Sequence, residues 1–522
     1  MRRPTPTLIL TVVAFGVFVA ADDLTVVSTM LRQIIFDLEI PLPAGLDRAA
    51  WIVNAYLIAY VVIMPFIGRL SDIIGRRAVY ISAMVLFLIG SIWVPLATNL
   101  NSFIVGRVLT ALGGGAMVPV AMAVIGDVYP RQKRATAMGT LGAIDTAGWV
   151  WGPLYGALLI RFLTWQWQFY LNIPLSLIGI AAAWWALADL PEPKTRERID
   201  WWGTAVLTIA LLSLNIALLN SGSVQSVGGF TDLETSSPAN TLPYYIVAII
   251  SFIIFILLER RGTGRQGSRG EQSPLPPGSP SPPPLIDLTL FRRRNFTPAI
   301  LINFLIGCVL IIAMVNVPLL INVLEFDVET AALTSGYLLS GMTGAMAIMA
   351  YVGGRFTERY NYRSVTLVGL LLCVVGFGTM GLSWMVETPY TQMAWPLLVL
   401  GMGFGLVMAP VGTAVINTAP DDQRGIASSL VIVLRLMGMS VGLSGLTGWG
   451  LHRFNSLRTQ IELPPLTDPT YQKAIADGLT QVTVQVLTET FVVSAVITLL
   501  ALFISFLLRR EITDKEIGHG SN

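Results

Sequence analysis

The chain has 522 residues, of which 54% are hydrophobic and 12% are charged, about half of the roughly 25% charged residues in a soluble domain. With a mean hydropathy of +0.69 it cannot cover a water-facing surface, and disordered, collagen-like and disulfide-stapled classes are excluded as well. A net charge of +2 leaves no polyelectrolyte partner such as nucleic acid, so the composition is that of an integral membrane protein.

A helix needs about 20 apolar residues to cross roughly 30 Å of hydrocarbon. Such stretches fall near 7–30, 50–69, 78–98, 102–126, 135–160, 168–188, 201–219, 242–258, 296–323, 331–353, 364–386, 394–418, 425–450 and 487–508, about fourteen in all. The first is too long and too acidic at its far end for a cleaved signal peptide, and it is expected to stay as a span. Cytoplasmic loops collect Lys and Arg. With the N-terminus inside, about 25 of the 33 basic residues fall in cytoplasmic stretches and about six in outer loops. Both termini are therefore expected in the cytoplasm, which requires an even number of spans.

The first span carries Asp22 and Asp23 two-thirds along its length. Ionisable groups inside spans are costly unless they face protein or water, so each is a functional candidate. Adjacent carboxylates diverge by about 100° on a helix. Either both lie near the outer headgroups, or one is a proton carrier. After the second span comes Gly68-Arg-Leu-Ser-Asp72-Ile-Ile-Gly75-Arg76-Arg77, a short basic loop. Arg107 opens the fourth span, followed by Gly113-Gly114-Gly115. That triplet lacks the Lys-Ser/Thr of a phosphate loop. With no nucleotide site in view, pumping driven by ATP is not expected, nor is any cofactor.

The fifth span reads Asp145-Thr-Ala-Gly148-Trp-Val-Trp-Gly152-Pro153-Leu-Tyr-Gly156. Glycine at every fourth place makes a smooth strip for close helix contact, and Pro153 favours a kink. Such a helix suits a hinge or gasket between halves, although plain helix packing also accounts for the glycines. Trp149, Trp151, Trp165, Trp167, Trp184, Trp185, Trp201 and Trp202 are expected mostly as interfacial anchors. The stretch from Arg260 to Pro284 is rich in Gly, Ser and Pro and reads as a disordered or polyproline-type linker. Cys308 and Cys373 lie inside apolar runs and are expected as packing residues.

The loop after the tenth span, Gly354-Arg-Phe-Thr-Glu358-Arg-Tyr-Asn-Tyr-Arg363, aligns without a gap on Gly68 to Arg77. Gly, Arg, a carboxylate and Arg recur at the first, second, fifth and tenth places. Duplicated halves around a central path are a transporter architecture. The division is then 1–190 for a six-helix half, 191–258 for an inserted pair, 259–295 for a linker, 296–510 for the second half and 511–522 for a tail. Arg435 lies mid-span, too far from either end to snorkel. It needs an acidic partner, for which Asp23 and Asp145 are candidates, or the head of a substrate, unless it merely ties down backbone carbonyls. Only His452 and His519 are present, so proton handling inside the membrane has to rest on carboxylates.

Together these residues resemble the major facilitator superfamily. Gly68 to Arg77 resembles its cytoplasmic signature, which implies that Gly68, Asp72, Gly75, Arg76 and Arg77 latch the halves. Gly148 to Gly156 resembles the antiporter motif of its proton-coupled exporters, and Asp23-Leu-Thr25-Val-Val the first-helix motif of the fourteen-helix drug:proton antiporters. Arg107 falls in the fourth-helix motif, where Ala111 replaces a usual Gly. Trp51-Ile-Val-Asn-Ala-Tyr56-Leu, Gly425-Ile-Ala-Ser428 and Arg435 through Asn455 are similar to the mycobacterial triacylglyceride exporters, also called multidrug efflux pumps. That resemblance implies function for Asp23 and Arg435. The family carries a Glu where this chain has Thr146, with Asp145 one place earlier, and its loop near Glu387–Met393 is longer.

The expectation is an all-α integral membrane protein of the major facilitator fold in a bacterial cytoplasmic membrane, working as a monomeric proton-coupled exporter. Its expected partners are the proton, an apolar cargo such as a triacylglyceride, the membrane and a lipid-carrying lipoprotein outside it. The rival is a multidrug:proton antiporter. A non-transporting scaffold or a membrane-embedded lipid enzyme is more remote, since the latter would want an intramembrane Cys–His arrangement that is lacking. No metal site is expected.

Overall fold

A computed structural model describes residues 4–40, 46–190, 200–218, 241–267, 285–325, 327–461 and 471–508. These form fourteen long α-helices: α1 (Pro6–Asp37), α2 (Leu46–Ile74), α3 (Arg76–Trp93), α4 (Leu100–Val128), α5 (Arg131–Phe162), α6 (Gln166–Ala186), α7 (Trp201–Leu218), α8 (Leu242–Gly267), α9 (Phe296–Leu324), α10 (Val328–Tyr360), α11 (Tyr362–Ser383), α12 (Tyr390–Thr418), α13 (Arg424–Arg458) and α14 (Tyr471–Ser505). Thirteen are long and apolar enough to cross a membrane. The fourteenth, α5, is long enough but carries Asp145 and a run of glycines, as suits a helix surrounded by α1, α10 and α12.

Polar residues start several of these helices. Thr5 caps α1 through Leu8 N, Asn99 caps α4 through Ser102 N, and Asp327 caps α10 through Thr330 N. Each supplies an acceptor to an N–H with no partner inside its helix.

The packing is duplicated. In the first half α1 lies against α4, α5 and α6, α2 against α4, and α3 against α4 and α6. In the second, α9 lies against α12, α13 and α14, α10 against α12, and α11 against α12 and α14. The halves meet along two seams, α2 with α13 and α10 with α5. The duplication reaches single residues: Gly75 and Asn361, aligned in the two loops, both take positive φ, 108° and 88°. Each is the residue before the next helix, α3 or α11, where the chain reverses between antiparallel neighbours.

Helices α7 and α8 pair with each other, and α7 also touches α2 and α13. Two boundaries differ from the sequence reading. Helix α8 continues to Gly267, past the expected start of the linker. Beyond the Arg260–Pro284 stretch, the rest of the 259–295 segment is packed, with Leu285, Ile286 and Leu290 buried and Leu285 N donating to Glu259 at 3.1 Å. Residues 268–284, and the tail 511–522, lie outside the described residues.

The last span, expected from 487, begins its helix at Tyr471. Helices α13 and α14 have 35 residues each, about 50 Å at 1.5 Å per residue, and so outrun the roughly 30 Å hydrocarbon core. Phe454 packs on Val482 and Val486 where these ends run side by side. The polar residues of the early turns hid this helix from an apolar count.

Candidate functional site

Asp23 lies about 26 Å along α1, at 1.5 Å per residue, with no exposure to solvent. Its Oδ2 pairs with Arg107 Nη1 at 2.8 Å, Arg107 Nη2 donates to the Asp23 carbonyl at 3.3 Å, and Asn172 Nδ2 donates to Oδ1 at 3.3 Å. The Tyr56 ring lies under the guanidinium at 4.1 Å, a further hold on a desolvated cation. Four helices of one half thus enclose one ion pair. Arg107 does not stand at the mouth of α4 but two turns inside it, 1% exposed. A cation so buried needs this carboxylate, since the desolvation of either charge alone costs several kcal/mol.

A second ion pair joins the halves. Arg435 Nη2 of α13 stands 3.5 Å from Asp145 Oδ2 of α5. At 1.5 Å per residue both positions are roughly 15–20 Å from the start of their helices, near mid-membrane. The pair lies in the wall of a small cavity, whose other lining is Thr146, Trp149, Leu310, Met314, Thr343, Met346 and Met408. Methionine lining adapts readily to varied apolar shapes. Tyr60 lies within electrostatic reach of Asp145 and Arg435 and stacks on Tyr56 at 5.8 Å. The two tyrosines of α2 bridge the two charged sites.

The halves close on each other at the end that carries the Gly68–Arg77 loop. Asp72 accepts from Gly425 N at 2.9 Å and Ile426 N at 3.2 Å, the first turn of α13, and pairs with Arg76 at 2.6 Å. Arg76 also reaches Asp127 at 3.0 Å, and Asp127 pairs with Arg424 of the other half at 3.0 Å. At the repeat-related place Glu358 accepts from Thr136 N of α5 at 3.0 Å. A carboxylate at a helix N-terminus meets free N–H groups and the positive end of the helix dipole. Gly68 packs on the Gly425 backbone and Gly354 on Ala135, so both seams depend on a missing side chain. Arg134 adds a hydrogen bond to Asn417 at 3.0 Å.

Several placements depart from the sequence reading. Of the two partners considered for Arg435, the structure takes Asp145 and commits Asp23 to Arg107. The glycine strip does not lie between the halves: Gly148 packs on Phe18 and Ala21, and Gly152 on Asp22 and Thr25, all in α1. The face of α5 that meets the other half includes Ala135, Thr136, Gly139, Asp145 and Thr146. Gly156 is buried in the same helix, and the Pro153 ring lies outside the described side chains. Arg77 takes no part in the latch; it donates to the Trp184 carbonyl at 2.8 Å and stacks on that ring, tying α3 to α6. Trp165 is no interfacial anchor, being 2% exposed with Nε1 bonded to Asp37, and Trp149 faces the cavity.

Asp127, Arg424, Glu358, Asn172, Gln168 and Tyr56 were not singled out from the sequence. Two of them have a signal there: Glu358 is the repeat partner of Asp72, and Tyr56 falls in the Trp51–Leu57 stretch that carries the resemblance. Cys308 and Cys373 are buried and free, and the described residues hold no cluster of potential metal ligands.

Residues 13–443 match the sequence profile of the Major Facilitator Superfamily. The chain is 31% identical over 478 residues to a triacylglyceride transporter of Mycolicibacterium hassiacum, covering 89% of this chain and 83% of the relative. It is 28% identical over 432 residues to multidrug resistance protein 3 of Bacillus subtilis, covering 82% of this chain and 76% of that one. Among solved structures, a proton:xylose symporter, XylE, superposes with a TM-score of 0.60 at 13% identity, over 94% of each chain.

Proposed function

The chain belongs to the major facilitator superfamily and is a multi-pass secondary transporter, not an enzyme; from that premise we propose that it is a proton-coupled exporter of apolar or amphipathic cargo in a bacterial cytoplasmic membrane. The observation that carries this reading is the Asp145–Arg435 pair, one charge from each half, set in the wall of a largely apolar cavity whose other polar groups include the Thr146 and Thr343 side chains. Such a pair holds the halves together only while Asp145 is ionised. A proton on that carboxylate, or cargo wedged beside it, weakens the tie and favours rearrangement.

Asp23 and Arg107 form the proton site proper. Protonation of Asp23 frees Arg107, whose guanidinium presses on Tyr56, and the Tyr56–Tyr60 stack carries the change toward Asp145 and Arg435. The excess of basic residues around the latch end supports placing that end, and both termini, in the cytoplasm. With the latch closed, the state described is then outward-facing. Each proton entering at ~100 mV supplies about 2.3 kcal/mol, to which any pH gradient adds.

The cargo reading follows the cavity and the relatives. A methionine-rich wall with few polar groups suits hydrocarbon, and the relative from Mycolicibacterium is named for triacylglyceride. Hydrophobic drugs are the second reading, favoured by the Bacillus relative. We propose that the protein works as a monomer and hands lipid to a lipoprotein outside the membrane. The test uses purified protein in proteoliposomes, with a fluorescent triacylglyceride in one set and a lipophilic dye in another. Lipid movement that requires an imposed pH gradient is expected; movement indifferent to the gradient would refute proton coupling, and movement of dye alone would select the drug reading.

A further inference from the structure

Next to Asp23, the structure holds a second polar pair that the ion-pair scheme does not use. Asp22 is 6% exposed and Gln168 of α6 is 1% exposed. Gln168 Nε2 donates to Asp22 Oδ2 at 2.9 Å. The remaining oxygens of the two groups, Asp22 Oδ1 and Gln168 Oε1, are buried without a hydrogen-bond partner.

An ionised carboxylate only accepts, and an amide oxygen only accepts. Two such orphans cannot satisfy each other, and each bears the cost of an unmade hydrogen bond. One proton on Asp22 resolves both. The acid O–H donates to the Gln168 carbonyl while the Gln168 N–H donates to the other acid oxygen, closing a complementary acid–amide pair.

Among the described residues no cation stands in place of that proton. Asp23 is adjacent on α1, Tyr155 of α5 lies within electrostatic reach of Asp22, and Gln168 bonds it from α6. The guanidinium on α4, Arg107, spends Nη1 on the Asp23 carboxylate and Nη2 on the Asp23 carbonyl. Tyr56 of α2 lies against that guanidinium. Among the described residues no ion pair reaches Asp22, whereas Asp23 has one. Adjacent positions on α1 thus hold carboxylates of different kinds, one balanced by a cation and one by an amide.

We infer that Asp22 and Gln168 form a second proton-binding site, separate from Asp23, and that each transport cycle moves two protons. The transport role rests on the proton-coupled reading above, but the binding of the proton does not, and the two are measured separately. Infrared difference spectra of the purified full-length protein in nanodiscs, titrated with pH, report carboxylic acid C=O bands directly. One titrating band should vanish in Asp22→Asn, shift in Gln168→Leu and stay in place in Asp23→Asn. Asn at 22 can itself donate to the Gln168 carbonyl, so that variant keeps its fold. A band unchanged in Asp22→Asn, or indifferent to Gln168→Leu, would overturn the site. In proteoliposomes loaded with a pH-sensitive dye and fluorescent triacylglyceride, the ratio of protons to lipid should halve in Asp22→Asn. An unchanged ratio would overturn the claim of two protons per cycle.

Discussion

Asp145 and Arg435 are partners across the interface and also the same position in the two repeats. The latch fixes the correspondence: Asp72 accepts from Ile426 N and Glu358 from Thr136 N, so α5 and α13 align at a separation of 290 residues, the separation of the ion pair itself. The pair therefore sits on the pseudo-twofold axis that relates the halves. A position on an axis faces its own equivalent, so identical residues there would repel or leave one another unpaired. Divergence to Asp in one copy and Arg in the other makes the contact attractive.

That symmetry gives a sharp expectation for exchange. Arg435→Ala leaves Asp145 as an uncompensated buried charge and should abolish coupled transport in proteoliposomes. The double variant Asp145→Arg with Arg435→Asp restores an ion pair between equivalent positions, and it should recover a measurable part of the activity. Recovery no greater than in either single variant would show that the local surroundings, not the axis, set the pairing.

The two latches are unequal in a way that predicts unequal effects. Asp72 has a side chain 1% exposed with two backbone N–H donors and Arg76, whereas Glu358 is exposed with one. Loss of a charged acceptor in a buried setting costs about 1–3 kcal/mol. Asp72→Asn should therefore shift the population toward the state open at the latch, read as a changed distance between spin labels on α2 and α13. Glu358→Gln should shift it much less.

Removing the charge of Asp23 strands Arg107, which has no exposure to relieve it. Breaking one partner of a buried pair costs about 3–5 kcal/mol. Asp23→Asn is expected to lower thermal stability and abolish proton-coupled export. Adding Arg107→Gln should recover stability, by removing the unpaired cation, without recovering export. If the double variant exports with a normal pH dependence, proton coupling does not pass through this pair.

The turn at Gly75 tests the repeat through backbone strain. At φ 108° a side chain is disfavoured, and Gly75→Ala should cost roughly 1–3 kcal/mol. Asn361 already bears that strain, at φ 88°, and offsets it by capping Ser364 N at 3.2 Å. Asn361→Gly should be nearly neutral in a denaturation series, since relief of strain and loss of the cap oppose each other.

Much of the fold was legible in the sequence because it is local. Apolar length gives spans, and the aligned Gly68 and Gly354 loops gave the duplication before any contact was known. The long α14 was underestimated, since its first turns are polar and its partner, Phe454 of α13, lies outside its own stretch of chain. Glycine at every fourth place of α5 marks a surface for close approach, but periodicity does not say against which helix. The structure answers with α1.

The sequence alone determined that this is a duplicated helical membrane protein with very few charges inside its spans. Composition, apolar length and the distribution of Lys and Arg are properties of short stretches and need no folding to be read. How those charges pair follows from the packing of helices distant in the chain. Asp23 met Arg107 across 84 residues, and Asp145 met Arg435 across 290. Which carboxylate a buried Arg receives depends on which helices are neighbours and on the face each presents at that depth. Desolvation then enforces the choice, because a charge left alone in the hydrocarbon costs more than any single helix contact returns.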